Sequence, residues 1–269
     1  MVITTQIIFK FIYIKEYMQV PSISPVAFYI SNIPIAYYWL TYVFAFALAF
    51  ILLYINREKL KIKEEQIYDL LLINLLVILI FARLFHVLFW GISYYLSNPI
   101  LIPQFWRGGL SFHGGLIGAI LATYIYTKKQ KLSFFTIADI LTLVAVLAHA
   151  FQRIVNLINH EIIGAPASSP LCFTYPGIEG CRHMVQIYAS LGNFLLFAFL
   201  LFIYLKKPKI KPGLIFWLMI FLTGIGRFFL DFIRQDTIYL GLKAGQWLSI
   251  PMIIISLYCL KKYYYKKKD

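Results

Sequence analysis

The chain has 269 residues, of which 61% are hydrophobic and 13% charged, and its mean hydropathy is +0.77. A soluble domain carries about 25% charged residues, so this composition describes an integral membrane protein. The net charge of +14 does not indicate nucleic acid as a partner, because the lysines fall in short clusters between apolar runs and not along one face; they read as topology signals beside anionic membrane lipid.

In chain order, residues 1–32 come first, as an N-terminal arm. MVITTQIIFKFIYIKEYMQV lacks the charged start, clean apolar stretch and small-residue cleavage site of a signal peptide, and reads as an amphipathic arm lying in the outer leaflet. Seven apolar runs follow, near 33–55, 67–89, 109–127, 134–157, 186–205, 213–233 and 246–260. Each approaches the roughly 20 residues that a bilayer-spanning helix needs. A basic tail, 261–269, closes the chain. NREKLKIKEEQ, KKQK, KKPKIK and KKYYYKKKD hold 16 of the 25 lysines and arginines, while the alternate connections hold only Arg107, Arg182, Arg234 and Lys243. The positive-inside rule then puts the N-terminus outside and the C-terminus in the cytoplasm. The expected fold is all-α, about seven transmembrane helices in a single polytopic domain, 1–269, with 33–260 as its core.

Three cations fall inside predicted spans: Arg83, Arg153 and Arg227. At a helix centre each costs about 2.5–3.5 kcal/mol to insert, so three call for a shared reason. Arg83 and His86 are three apart. In QRIVNLINHEIIG, Arg153 and Asn156 share a helix face, and Asn159, Glu161 and Gly164 continue into the outer connection. In GRFFLDFIRQD, Arg227, Asp231 and Arg234 are spaced four and three apart, a cationic stripe with a carboxylate in its middle. Forked guanidiniums converging from different helices suit a phosphate, and at this depth the phosphate is an anionic lipid headgroup. The plainer alternative is that each arginine snorkels or braces the bundle through an ion pair.

RGGLSFHGGLIGA places His113 among glycines near the outer end of the third span. His113 is either a reactive histidine or an interfacial ring bonded to a carbonyl. Gly114 and Gly118 suit either helix packing or a lipid headgroup close to the backbone. Tyr38, in YYW, is open to an interface-belt role, and Asp139 to capping the fourth helix. Cys172 and Cys181 share one outward connection where a disulfide is chemically permitted but not established; Cys259 reads as a packing residue. No Cys and His spacing resembles a metal site, and no cofactor is indicated.

GGLSFHGGLIG resembles the most recognisable motif of the prolipoprotein diacylglyceryl transferase family, bacterial inner-membrane enzymes that lipidate the cysteine of lipoprotein precursors. The likeness recurs in order through YYWLTY, ARLFHVLF, SFFTIAD, QRIVNLINHEIIG, RHMVQIY, GRFFLDFIRQ and GQWLSIPM. It implies a seven-span, N-out protein of the inner (cytoplasmic) membrane. The implied reaction moves the diacylglyceryl group of phosphatidylglycerol to the lipobox cysteine thiol of a prolipoprotein signal peptide, leaving glycerol phosphate and a thioether. Carried over, His113, Arg153, Arg227 and Tyr38 take the catalytic positions. Phosphatidylglycerol binding falls to Arg153, Asn156, Glu161, Gly164, Arg227 and Asp231, with Gly114 and Gly115. His113 is the implied base for the thiol, and Arg153 and Arg227 the implied phosphate clamp.

The chain departs from the family pattern at Trp39, Gln152 and Ala165, at Ala189 where a carboxylate is usual, at Asp231 where glutamate is usual, and at Thr223. These departures keep two alternatives open: a paralogue acting on another thiol or lipid, and a non-catalytic anionic-lipid binder or transporter.

Overall fold

The computed structural model describes residues 18–168, 172–206 and 210–264. Residues 1–17 of the expected arm and 265–269 of the basic tail lie outside them. The helices are α1 (Tyr37–Ile55), α2 (Arg57–Leu60), α3 (Glu64–Trp90), α4 (Ile92–Ser97), α5 (Phe112–Lys129), α6 (Phe134–Ile158), α7 (Val185–Lys206), α8 (Leu214–Leu230) and α9 (Ala244–Tyr264). Among the described residues, six are long and apolar enough to cross a membrane: α1, α3, α6, α7, α8 and α9. They correspond to six of the seven predicted spans. The helix of the third, α5, forms but is not among the six; its 18 residues open on Phe-His-Gly-Gly and end on Thr-Lys-Lys, which shortens the apolar stretch.

The described membrane-spanning elements are all helices, and short strands lie only outside them. The connections carry short strands: β1 (Met18–Gln19), β2 (Val26–Ile30), β3 (Ile33–Ala36), β4 (Cys172–Tyr175), β5 (Ile178–His183), β6 (Ile238–Tyr239) and β7 (Leu242–Lys243). β1 runs parallel to β4, and β4 antiparallel to β5, while β2–β3 and β6–β7 are hairpins. Residues 33–36, expected in the first span, pair with β2 instead; Pro34 pushes Ile33 before it out of the helical region into extended backbone.

The chain forms two compact units, residues 1–43 with 145–269, and residues 44–144. In the second, α3 and α5 pack closely. A Cβ on Gly118 would stand 2.9 Å from Phe81 Cβ and from the Val77 carbonyl, and one on Gly114 would strike Phe81 and Phe85, so both glycines let the helix backbones approach. Gly115 has ordinary space, with Ile78 3.6 Å from such a Cβ. Thr123 Oγ1 donates to Asn74 Oδ1 at 3.1 Å between the same helices.

Arg83 closes the end of this unit that leads from α3 into α5. Its Nη2 and Nε donate to the carbonyls of Leu101 (2.7 Å) and Ile102 (2.8 Å), and its Nη1 to those of Gly108 (2.8 Å) and Gly109 (3.2 Å). The guanidinium also stacks on the Tyr95 ring. The expectation that Arg83 shares a phosphate site with the other two span arginines is thereby corrected: it holds the loop leading into α5. Loop carbonyls inside an apolar setting need donors, and one forked cation supplies several. Asp139 is buried beyond the first turn of α6, so it is not that helix's cap.

In the first unit, α7, α8 and α9 pack together, and the β1–β4–β5 sheet covers a small core. Val20, Phe173 and Tyr175 are buried there against Leu157, Ile163, Ile178, Met184 and Ile187. A Cys172–Cys181 disulfide ties β4 to β5, so the pairing left open by the sequence is made. Burial pushes the Tyr175 hydroxyl above its usual pKa, and that hydroxyl donates to Gln186 Oε1 at 3.0 Å.

Candidate functional site

The C-terminal end of α6 presents one face to the loop that follows it. On that face Arg153 lies one turn after His149 and one turn before Asn156. Arg153 Nη1 donates to Asn156 Oδ1 at 2.9 Å, and its Nε and Nη2 lie 3.2 and 2.6 Å from His149 Nε2. A histidine nitrogen that accepts from a guanidinium carries no proton, so the hydrogen of the neutral ring is on Nδ1, which donates to Asn193 Oδ1 at 3.3 Å. Asn156, its oxygen occupied, turns its amide hydrogens to Glu161 Oε2 at 2.8 Å and to the Tyr38 hydroxyl oxygen. The Tyr38 hydroxyl in turn donates to Glu161 Oε2. The Tyr38 hydroxyl is thereby tied to the loop after α6.

Glu161 is held by its own backbone. Its amide donates to the Asn156 carbonyl at 2.8 Å, and its carbonyl accepts from Gln186 Nε2 at 2.6 Å. His160 and Ile162 on either side have φ of 54° and 58°. A β-branched residue in the left-handed region is strained, and such strain persists only where surrounding contacts fix the chain. Here it turns the carboxylate back onto α6.

The Arg227 pair lies where α8 ends. Arg227 Nε and Arg234 Nη1 each stand 3.3 Å from Asp231 Oδ1, and Arg234 Nε is 3.2 Å from Asp236 Oδ2. Asp231 is wholly buried. Its second oxygen faces Gly245 at the start of α9 and, among the described residues, accepts no hydrogen bond. Any side chain at 245 would collide with that carboxylate and with Arg227. Lys243 Nζ holds the turn below through the carbonyls of Asp231, Phe232 and Arg234.

Backbone pairing brings the two groups together within this unit. Ala165 donates to the Ile233 carbonyl at 2.8 Å, Gln235 to the Ile163 carbonyl at 3.2 Å, and Gly164 bridges Arg234. Gly164 is a glycine because His183 lies directly against it. Arg153, Arg227 and Arg234 consequently lie within electrostatic reach of one another. The three guanidiniums repel one another, and Asp231 offsets that repulsion by pairing with both Arg227 and Arg234.

Tyr38, Arg153, Asn156, Glu161, Gly164, Arg227 and Asp231, all expected from the sequence, belong to this centre. His113, the second residue of α5, is half-buried and belongs to the other unit, as do Gly114 and Gly115. Sequence reading missed His149, Asn193 and Gly245. The spacing of His149, four residues before Arg153, is a usable signal, and Gly245 opens the GQWLSIPM stretch. Among the described residues no group of His, Cys, Asp and Glu is placed to hold a metal ion.

A helical membrane protein with a buried arginine–carboxylate centre at its helix ends is the class these features define. Residues 25–261 match the family model of prolipoprotein diacylglyceryl transferase. Proteins named phosphatidylglycerol–prolipoprotein diacylglyceryl transferase align over nearly their whole length. The one from Polynucleobacter asymbioticus is 35% identical over 90% of this chain and 97% of its own. That from Bordetella parapertussis is 36% identical over 88% and 94%, and that from Geobacter sulfurreducens 33% over 89% and 95%. The chain belongs to the prolipoprotein diacylglyceryl transferase family.

Proposed function

We propose that this protein transfers the diacylglyceryl group of phosphatidylglycerol to the cysteine thiol of prolipoproteins. The thiolate sulfur attacks the glycerol carbon that bears the phosphate ester. A carbon–sulfur bond forms, the carbon–oxygen bond to phosphate breaks, and glycerol phosphate leaves with the bonding electrons. The observation that carries this reading is the backbone pairing of residues 163–165, in the loop after Arg153 and Asn156, with residues 233–235, beside Arg227 and Asp231, in a membrane protein of this family. Negative charge gathers on the departing phosphate, and preformed cationic donors stabilise it where it develops.

In this reading Arg153 and Arg227 clamp the phosphate, Asn156 and Glu161 orient Arg153 and Tyr38, and Asp231 orients Arg227. The thiol proton is assigned to His113 on the resemblance of its motif alone. Gly114, Gly115 and Gly164 are assigned to the lipid headgroup on the same ground; at Gly114 and Gly164 helix packing and the contact with His183 already require a glycine. The acceptor is a signal peptide with a lipobox cysteine, the compartment is the inner membrane, and nucleic acid is not a partner.

We further assign α5 as a seventh span and the N-terminus to the outside. Impermeant thiol reagents then label Asn98→Cys from outside, and Gln130→Cys only after permeabilisation; the reverse pattern overturns the orientation. The transfer itself is tested with purified protein in nanodiscs containing phosphatidylglycerol and a lipobox peptide. A diacylglyceryl mass increase on the peptide cysteine is expected, and no increase together with no released glycerol phosphate rejects the proposal.

A further inference from the structure

The β6–β7 hairpin turns on Leu240 and Gly241, with φ of 49° and 82°. A two-residue turn with both φ positive favours Asn-Gly or Asp-Gly in water, since a larger side chain is strained in the left-handed region. The β2–β3 hairpin turns on two small polar residues, Ser31, with φ of 53°, and Asn32. The β6–β7 turn does not. Leu240 occupies the strained position and is 93% exposed, with Ile238 and Tyr239 beside it at 63% and 59%. In water neither backbone preference nor solvation favours leucine there; in hydrocarbon, solvation does.

The root of the hairpin has the opposite character. Lys243 places its ammonium on three carbonyls of residues 231–234, its amide donates to Gln246 Oε1 at 3.0 Å, and Trp247 Nε1 donates to the Tyr239 carbonyl at 2.8 Å. An indole with its N–H satisfied and its ring exposed is the side chain expected at a membrane interface. The neighbouring surface is already apolar: Phe229 and Phe232 lead into the hairpin, and Trp247 and Leu248 lead out of it, all exposed at the ends of two spans. The tip therefore continues the exposed apolar surface of α8 and α9.

We propose that Ile238, Tyr239 and Leu240 are immersed in the acyl chains of the leaflet that supplies the lipid substrate. Through Lys243 the hairpin sets the Arg227–Asp231–Arg234 cluster at the depth of the phosphate headgroups. Immersion stands on the hairpin alone; the depth-setting role rests on the proposed transfer.

Spin labelling tests the first part. In a Cys259→Ser background, nitroxide-labelled Leu240→Cys and Glu179→Cys are compared in nanodiscs of phosphatidylcholine and phosphatidylglycerol. Glu179 is the exposed aqueous control. Collisions with oxygen dominating at 240, and with a water-soluble nickel chelate at 179, are expected. Nickel dominating at both overturns immersion, whatever the protein's activity. Leu240→Asn tests the second part, because asparagine suits the turn and preserves the fold. Removing the leucine from lipid should raise KM for bilayer phosphatidylglycerol about tenfold, with kcat unchanged and no effect on a dissolved short-chain phosphatidylglycerol. An unchanged bilayer KM rejects depth-setting. Wild-type protein without transfer activity retires the proposed function and leaves the spin-label result standing.

Discussion

Arg153 and Asn156, one helical turn apart on α6, are joined by a 2.9 Å hydrogen bond from guanidinium Nη1 to the amide oxygen. This bond fixes which way the asparagine amide points, and so which side of Glu161 meets Tyr38. Lysine at 153 keeps the charge but cannot reach His149 and Asn156 from the two edges of one plane. Arg153→Lys is therefore expected to lower transfer by at least about 100-fold, the loss typical of one missing transition-state donor. The protein should still elute as a monodisperse species. Wild-type activity would reduce Arg153 to a point charge.

His149 tests whether Arg153 must be held from behind. A leucine there removes the acceptor and leaves Arg153 Nε without its partner; glutamine can supply an oxygen in its place. A half-buried donor left unmatched costs about 1–3 kcal/mol. His149→Leu should accordingly lower kcat about tenfold or more, with His149→Gln recovering most of it. Equal loss in both variants, in proportion to folded protein, would make His149 a packing residue.

His149 also shows where sequence reading stops. A histidine in LTLVAVLAHAFQRIV looks like one polar residue in an apolar helix, and its use depends on Asn193 of α7, 44 positions away. The spans were legible because lipid demands long apolar runs, a requirement each segment meets alone. The Arg153–Asn156 and Arg227–Asp231 pairs were legible for a similar reason: i,i+3 and i,i+4 spacing is local. Arg83 was misjudged because its partners are loop carbonyls, which every residue possesses and no motif marks. The strands were missed because they are two to six residues long and lie in connections, where pairing is decided by distant partners such as β1 with β4.

Gly245 and Gly192 give a contrast between two helical glycines. A Cβ at 245 would strike Asp231 Oδ2 and stand 2.9 Å from Arg227 Nε and Nη2, whereas a Cβ at 192 meets nothing within 4 Å among the described residues. Helix propensity alone favours alanine over glycine by about 1 kcal/mol. Gly192→Ala is thus expected to be neutral or slightly stabilising, and fully active. Gly245→Ala should displace the ion pair and lower transfer about tenfold or more, with thermal unfolding measured alongside. Full activity in Gly245→Ala would show that the pair can shift without consequence.

The Cys172–Cys181 bridge closes a loop of nine residue steps in a sheet with a small core. For a loop of this length the chain-entropy model gives about 2.5 kcal/mol of stabilisation. Cys172→Ala with Cys181→Ala should therefore open β4–β5 to protease at lower temperature. The membrane helices should be unaffected, as read by protection of fragments outside 172–183. No change in cleavage temperature would mean that Phe173 and Tyr175 hold the sheet unaided.

Asp231 is where charge and fit separate. Its carboxylate is wholly buried, 3.3 Å from both Arg227 and Arg234, and its second oxygen is pressed against Gly245. Asparagine keeps the shape and removes the charge, leaving two guanidiniums with no common counter-ion; breaking a buried pair in this way costs about 3–5 kcal/mol. Glutamate keeps the charge, but its extra methylene must push into Gly245 or move the carboxylate off Arg227, a smaller penalty of about 1–3 kcal/mol for overpacking. Transfer per folded molecule, normalised to the monodisperse peak, is therefore expected to fall in the order wild type, Asp231→Glu, Asp231→Asn. The asparagine variant should lose most of its activity, because Arg227 no longer has a fixed direction toward the phosphate. If Asp231 only braced the helix end, both variants would lose stability but retain wild-type specific activity. That result would remove Asp231 from the site and leave Arg153 and Arg227 to hold the lipid phosphate without it.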